Sequence, residues 1–278
     1  MILRRLHLIL SLWTFAWSAV PATARDVVPL STGSEGIETV VAAVSGRHGT
    51  FLFDSGIGTS AITPAVAAGI GCKSWGKVTG FRATGERVDL PRCNMTRITI
   101  GRVTTMLPEP PVIDLARFMG PQPAGLSGAI RLDALAKQVV MLDVAHHQVI
   151  TEDVASLAEI RRIGTEVPIR LVRDAEGVAL TVDVGVPTSS GMAWMELDTG
   201  NYGPSLVDRS IASLFGLEPA SAILQQWRAP LSGSIVISGP VIVKKLVLDG
   251  NLGRNVLRHW LVTLNLASER GWIRINGL

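Results

Sequence analysis

The strongest constraint on this 278-residue chain is that it repeats itself. Residues 51–63 read FLFDSGIGTSAIT and residues 194–207 read WMELDTGNYGPSLV. Each is an apolar strand, then Asp-Ser/Thr-Gly, then a loop of small residues, then a second apolar strand. Downstream, GAIRLDALAKQVVMLD (128–143) aligns without a gap on GNLGRNVLRHWLVTLN (250–265). That alignment sets Gly128 on Gly250, Ile130 on Leu252, Leu135 on Leu257 and Leu142 on Leu264. A hairpin-like stretch precedes each Asp. One Asp-Ser/Thr-Gly triplet is ordinarily a turn, because Asp and Gly are turn residues. Two of them, each followed by the same later block, imply a duplicated unit.

The elements between these blocks are short β-strands broken by glycine and proline. Strand patterns cover 39–44, 50–53, 98–100, 139–142, 178–184, 193–197, 235–237 and 241–248. Helical patterns are few and short, at 64–69, 132–137, 208–215 and 255–260. The expected fold is all-β, with two lobes of six to eight strands around a cleft. The lobes are placed at 25–150 and 166–278, and the charged, strandless segment 151–165 is read as the linker between them.

Residues 1–24 carry a positive head at Arg4 and Arg5, an apolar run from Leu6 to Val20, and Ala22-Thr23-Ala24 as a cleavage site. They are expected to be an export signal, so that the mature chain begins at Arg25 with no stable membrane span. Removing the two arginines lowers the formal charge from +3 to +1. No basic stripe with interleaved aromatics occurs, so nucleic acid is discounted as a partner. Cys72 and Cys93 are the only cysteines. In an exported chain, periplasmic or secreted, an even count favours a disulfide.

With these residues in hand, the chain resembles the aspartic proteases, and more narrowly the bacterial retropepsin-like group with two related lobes in one chain. The resemblance covers most of 37–150 and 166–278. It implies that Asp54 and Asp198 each stand at the floor of an interlobe cleft, and that Ser55 and Thr199 hydrogen-bond across to the opposite loop. It implies also that the later blocks pack around the loops, and that a flap from the first lobe covers the cleft. Trp75–Val88, with Gly80 and Gly85 around a turn, is the flap candidate; core packing is the expected role of Trp75 and Phe81. Departures are plain. Arg131 stands where the second block has Gly253, which weakens the support of the first loop, and Asn251 occupies an apolar position. The second lobe runs 52 residues from its Asp to its later block against 74 in the first, which suggests a reduced covering hairpin.

The residues also make chemical sense. Hydrolysing an amide without a metal or covalent intermediate needs one group to take a proton and another to give one. Two carboxylates in contact cannot both ionise, so they share a proton and supply both roles. Gly56 and Gly200 let backbone approach the carboxylates. Ile57 adds apolar surroundings to Asp54, and Asn201 offers a donor towards Asp198. Asp198 is therefore expected to be the more readily ionised member. His146 and His147, adjacent on a strand end, point to opposite faces and do not form a metal site. No cofactor or metal is called for. The expected function is endopeptidase action on an extended polypeptide by a monomer. The alternative is a non-catalytic peptide- or envelope-binding protein on a degenerate protease fold.

Overall fold

The computed structural model describes residues 24–33, 36–120 and 125–277. The expected export signal, apart from Ala24, lies outside them. Among the described residues no helix is long and apolar enough to cross a membrane.

The duplication is a duplication of topology. In the first lobe, strand Arg47–Phe53 runs into Asp54, with Gly128–Ile130 parallel beside it so that Ala129 faces Leu52 and Ile130 faces Phe53. Ala61–Ile62 then pairs antiparallel with Gly128–Ile130. In the second lobe, Gly191–Leu197 runs into Asp198, with Gly250–Leu252 parallel beside it and Ser205–Asp208 antiparallel beyond. Glu196 faces Asn251 and Leu197 faces Leu252. The aligned residues of the repeat are core residues: Ile130, Leu135, Leu142, Leu252, Leu257 and Leu264 are at most 2% exposed. The expected two-lobed all-β fold is what the chain adopts.

A third sheet joins the lobes. Its strands run in the order Asp26–Pro29, Gln148–Glu152, Val139–Asp143, Trp260–Asn265, Arg270–Ile275, Thr165–Val167. At its centre the end strands of the two repeats pair antiparallel, with Met141 opposite Thr263. Each lobe contributes three strands, one member of this pair and two beyond it, as a two-fold relation between the lobes requires. A single apolar cluster extends from Val40 and Phe53 in one lobe through Leu142 and Leu264 to Ile237 in the other.

One expectation about length needs correction, and one helix lies where no helical pattern was read. The linker segment contains the longest helix described, Val154–Ile163. Asp153 and Ser156 form a reciprocal capping box at its start, and Leu157 and Ile160 bury against Met141, Ile150 and Trp272. The second lobe's covering hairpin is not reduced. Gln225–Ser232 and Ile235–Lys244 form a long antiparallel pair, and the latter strand also pairs parallel with Ser205–Asp208. The extra length of the first lobe lies instead in the hairpin Thr96–Ile100/Val103–Leu107 and the short helix Leu115–Met119.

The flap candidate is a free-standing hairpin, Trp75–Phe81 with Arg87–Arg92. The Cys72–Cys93 disulfide ties its base, with the Cα atoms 5.7 Å apart. Trp75 and Phe81 are exposed, at 41% and 66%, and not in the core. Arg92 stacks on Trp75 at 4.5 Å from the ring centre, which accounts for its position at the hairpin base.

Candidate functional site

Each strand delivers its aspartate by the same device. The Asp54 amide donates to the Ile130 carbonyl at 3.2 Å, and the Asp198 amide to the Leu252 carbonyl at 3.1 Å. The parallel neighbour thus holds the start of each loop. The chain then doubles back under its own carboxylate: the Gly56 amide donates to Asp54 Oδ1 and the Gly200 amide to Asp198 Oδ1, both at 2.8 Å. The two carboxyl groups face each other across the lobe junction, close enough for the charge of Asp54 to act on Asp198. Each glycine passes against the opposite carboxyl so closely that a Cβ on Gly56 would collide with Asp198, and one on Gly200 with Asp54. Ser55 and Thr199 brace the junction: the Ser55 amide donates to Thr199 Oγ1 and the Thr199 amide to Ser55 Oγ. Ser55 Oγ also donates to the Leu197 carbonyl at 2.6 Å. The arrangement is a carboxyl pair on two mutually locked loops.

The surroundings of the pair differ from the sequence expectation. Burial, and then the charge of Asp54, push Asp198 up to about 7. The pair therefore keeps one proton up to near-neutral pH. Asn201 does not donate its side chain to Asp198. Its Nδ2 serves the Pro204 carbonyl and Asn251 Oδ1, its Oδ1 accepts from Gly203, and only its backbone amide reaches Asp198 Oδ1, at 3.0 Å. Ile57 is 38% exposed and does little to dehydrate Asp54. The donor that reaches Asp198 is Asn251, whose Nδ2 bonds both Asp198 Oδ2 and, at 3.2 Å, Glu196 Oε2. Sequence reasoning placed neither Asn251 nor Glu196 in the site. The signal was the repeat itself, which puts Asn251 opposite an alanine and Glu196 opposite Leu52.

Arg131 proves to be a support. Its backbone takes the β conformation that ends Gly128–Ile130. Its side chain is fully buried, and Nε donates to the Asp54 carbonyl at 3.0 Å. The Arg131 amide donates to Ser60 Oγ, while Asp133 accepts from Ser60 and Thr59, so the segment after Asp54 is held from both directions. The expected weakening of the first loop is therefore not found. A side chain is tolerated here because it leaves along the lobe junction. At Gly253, by contrast, a Cβ would lie 2.8 Å from the Asn201 backbone oxygen.

Other contacts close the lobes around the pair. Buried Glu38 forms an ion pair with Arg254 at 2.9 Å, its amide donates to the Tyr202 hydroxyl at 2.9 Å, and Arg254 stacks over the Tyr202 ring. The flap tip reaches the second lobe: the Val247 amide donates to the Ala83 carbonyl at 2.9 Å. His146 bonds Asp143, and His147 bonds Glu38 at 2.7 Å, so each histidine has a carboxylate of its own.

Solved structures share this fold. The basic 7S globulin from soybean superposes with a TM-score of 0.57 and 11% identity, over 91% of this chain and 95% of that one. Conglutin gamma, a basic 7S globulin from lupine seeds, matches at 0.55 with 10% identity, over 91% and 95%. The protein called EDGP matches at 0.54 with 10% identity, over 90% and 94%. No family model and no curated protein matches. These findings correct the narrower resemblance drawn from the motifs: the structures named here are basic 7S globulins from soybean and lupine and EDGP, not bacterial retropepsin-like proteases. The physical reason is that Asp-Ser/Thr-Gly and the later glycine block encode a tight loop and a close backbone approach. Those requirements belong to the fold, whichever lineage or activity it serves.

Proposed function

We propose that the protein hydrolyses peptide bonds in an extended polypeptide held between its lobes, with Asp54 and Asp198 as the reacting pair. The observation that supports this most directly is the juxtaposition of the two carboxyl groups, each against the opposite loop's glycine, on loops cross-braced by Ser55 and Thr199. In the singly protonated pair, with Asp198 as the acid, Asp54 takes a proton from water as the oxygen attacks the scissile carbonyl carbon. Asp198 gives its proton to the carbonyl oxygen. Collapse of the tetrahedral species then breaks the C–N bond: the proton on Asp54 passes to the leaving nitrogen, and a hydroxyl proton returns to Asp198. Activity requires one proton on the pair, so it falls when both groups are protonated and falls again as pH rises through about 7. Exposed backbone of the hairpin Trp75–Arg92 offers β-type hydrogen bonds to a substrate strand. The disulfide fits an oxidising compartment, and we place the protein in the periplasm or outside the cell, acting as a monomer.

The comparisons favour a second reading, a non-catalytic binder of peptides or envelope components, because the structures that share the fold are seed globulins by name. One experiment separates the two. Purified protein is incubated with a peptide library beside Asp198→Asn. Cleavage by the wild type alone supports hydrolysis. Equal retention of peptides by both proteins without cleavage supports binding.

A further inference from the structure

Arg131 has no counterpart in the second lobe, where Gly253 stands. Its side chain is 0% exposed, and among the described residues its one hydrogen-bond partner is the Asp54 carbonyl, through Nε. Nη1 and Nη2 find no hydrogen-bond partner among the described residues. A guanidinium does not shed its proton in a protein, so the site carries a fixed positive charge that has been taken out of water. Such a charge is tolerated only beside compensating negative charge.

The four acidic groups that act on it come from three segments: Asp54 at the end of Arg47–Phe53, Asp133 in the turn Leu132–Leu135, and Glu196 and Asp198 at the end of Gly191–Leu197. Asp133 already accepts from Thr59, Ser60 and the Ala134 amide, and so is committed to the loop. Glu196 is buried beneath Asp198, bridged to it by Asn251, with Asp183 on the adjoining strand facing it. Asp183 has its own counter-ion in Arg170, at 2.8 Å. The aspartate pair is the remaining acidic partner. In the mirrored place of the first lobe, Leu52 and Ala129 carry no charge at all, so Arg131 and Glu196 are additions of opposite sign on opposite sides of one junction.

We propose that Arg131 is a positioning residue that keeps the Asp54–Asp198 pair at a single negative charge, with Glu196 as the carboxyl group that opposes a second. This rests on the hydrolytic reading for its consequence but not for its test. A cation under the pair favours losing the first proton, extending the singly charged state towards acid. Glu196, forced towards its neutral form by burial and by Asp198, becomes a rival negative charge only when the pH climbs. Together they widen the range in which one aspartate is a base and the other an acid.

The test is a titration of the two aspartates by carbon-13 NMR, with kcat/KM against pH on a cleaved peptide as the second readout. Arg131→Met keeps the bulk and removes the charge; the lower apparent pKa of the pair should rise by about one unit or more. Arg131→Lys restores charge and should bring that step back close to the wild type. Glu196→Gln keeps a partner for Asn251 and should lower the upper step. An unmoved lower step in folded Arg131→Met, or a Lys variant shifted as far as Met, would overturn the proposal. If the Met variant does not fold, an unmoved upper step in Glu196→Gln overturns it. Titrations that move in a protein cleaving no peptide would retain the proposal and remove the hydrolytic reading, whereas cleavage with unmoved titrations would do the reverse.

Discussion

Ser55 and Thr199 exchange hydrogen bonds in both directions across the lobe junction, each amide donating to the other's hydroxyl oxygen at 3.0 Å. Both residues are essentially without solvent contact, at 0% and 1% exposure. Removing either hydroxyl strands a buried amide on the opposite lobe. Ser55→Ala and Thr199→Val should each cost about 1–3 kcal/mol in denaturant unfolding. The double variant should cost less than the two losses added, because each substitution spoils the same brace. Strict additivity would show that the two bonds act independently.

The raised Asp198 pKa has a consequence for stability that needs no substrate. Unfolded, this carboxyl group titrates near 3.8; folded, it titrates at about 7. Between those values the folded state holds a proton that the unfolded state has lost, so this group's contribution falls as pH rises. Asp198→Asn cannot ionise. It should melt above the wild type at pH 7 and at a temperature close to the wild type's at pH ~2.5, where the wild-type group is protonated in both states. Melting curves at the two pH values test this, and a difference independent of pH would refute it.

The disulfide closes a loop of 21 residues around the flap base. Chain-entropy reasoning gives about 3 kcal/mol for such a loop. The unreduced, denatured protein should show no titratable thiol, and Cys72→Ser with Cys93→Ser should unfold at lower denaturant by roughly that amount. Two free thiols in the denatured, unreduced protein would contradict the bridge.

At the flap tip, the Val247 amide is the donor that fastens Ala83 to the second lobe. Proline at 247 removes that donor. Hydrogen exchange in Trp75–Phe81 and Arg87–Arg92 should then accelerate, while exchange in the central six-stranded sheet stays as it was. If the protein cleaves peptides, KM should move more than the dyad's pH limits. Unchanged exchange in the hairpin would mean that the tip is held by other contacts.

Much of the fold was legible because a duplicated chain states its core twice: Leu135 with Leu257 and Leu142 with Leu264 mark the same buried positions in each lobe. The carboxyl pair and its cross-bracing hydroxyls were legible for the same reason. Asp198's surroundings were not. Asn201 is three residues away in sequence and looked like the donor, yet the amide that reaches Asp198 belongs to Asn251, 53 residues further on. Arg131 was misjudged in a similar way. Its position suits glycine when judged from the backbone alone, but its side chain reaches the loop of Asp54, 77 residues earlier, where the packing leaves it a path. The helix Val154–Ile163 was hidden by its charges, since only Leu157 and Ile160 record its buried side.

The six-stranded sheet that joins the lobes bears on how this molecule is made. Its middle pair, Val139–Asp143 with Trp260–Asn265, joins segments more than a hundred residues apart. A chain folding from its N-terminus can complete the first seven-stranded sheet early. The edge of Val139–Asp143 then stays open until Trp260–Asn265 arrives. Contacts of such long sequence separation form slowly, because a large loop must close before any of them stabilises the product. During that wait the half-built protein presents a bare strand edge of the kind that recruits a second, identical chain. Rapid delivery of the C-terminal lobe therefore covers that edge before a second chain can pair with it.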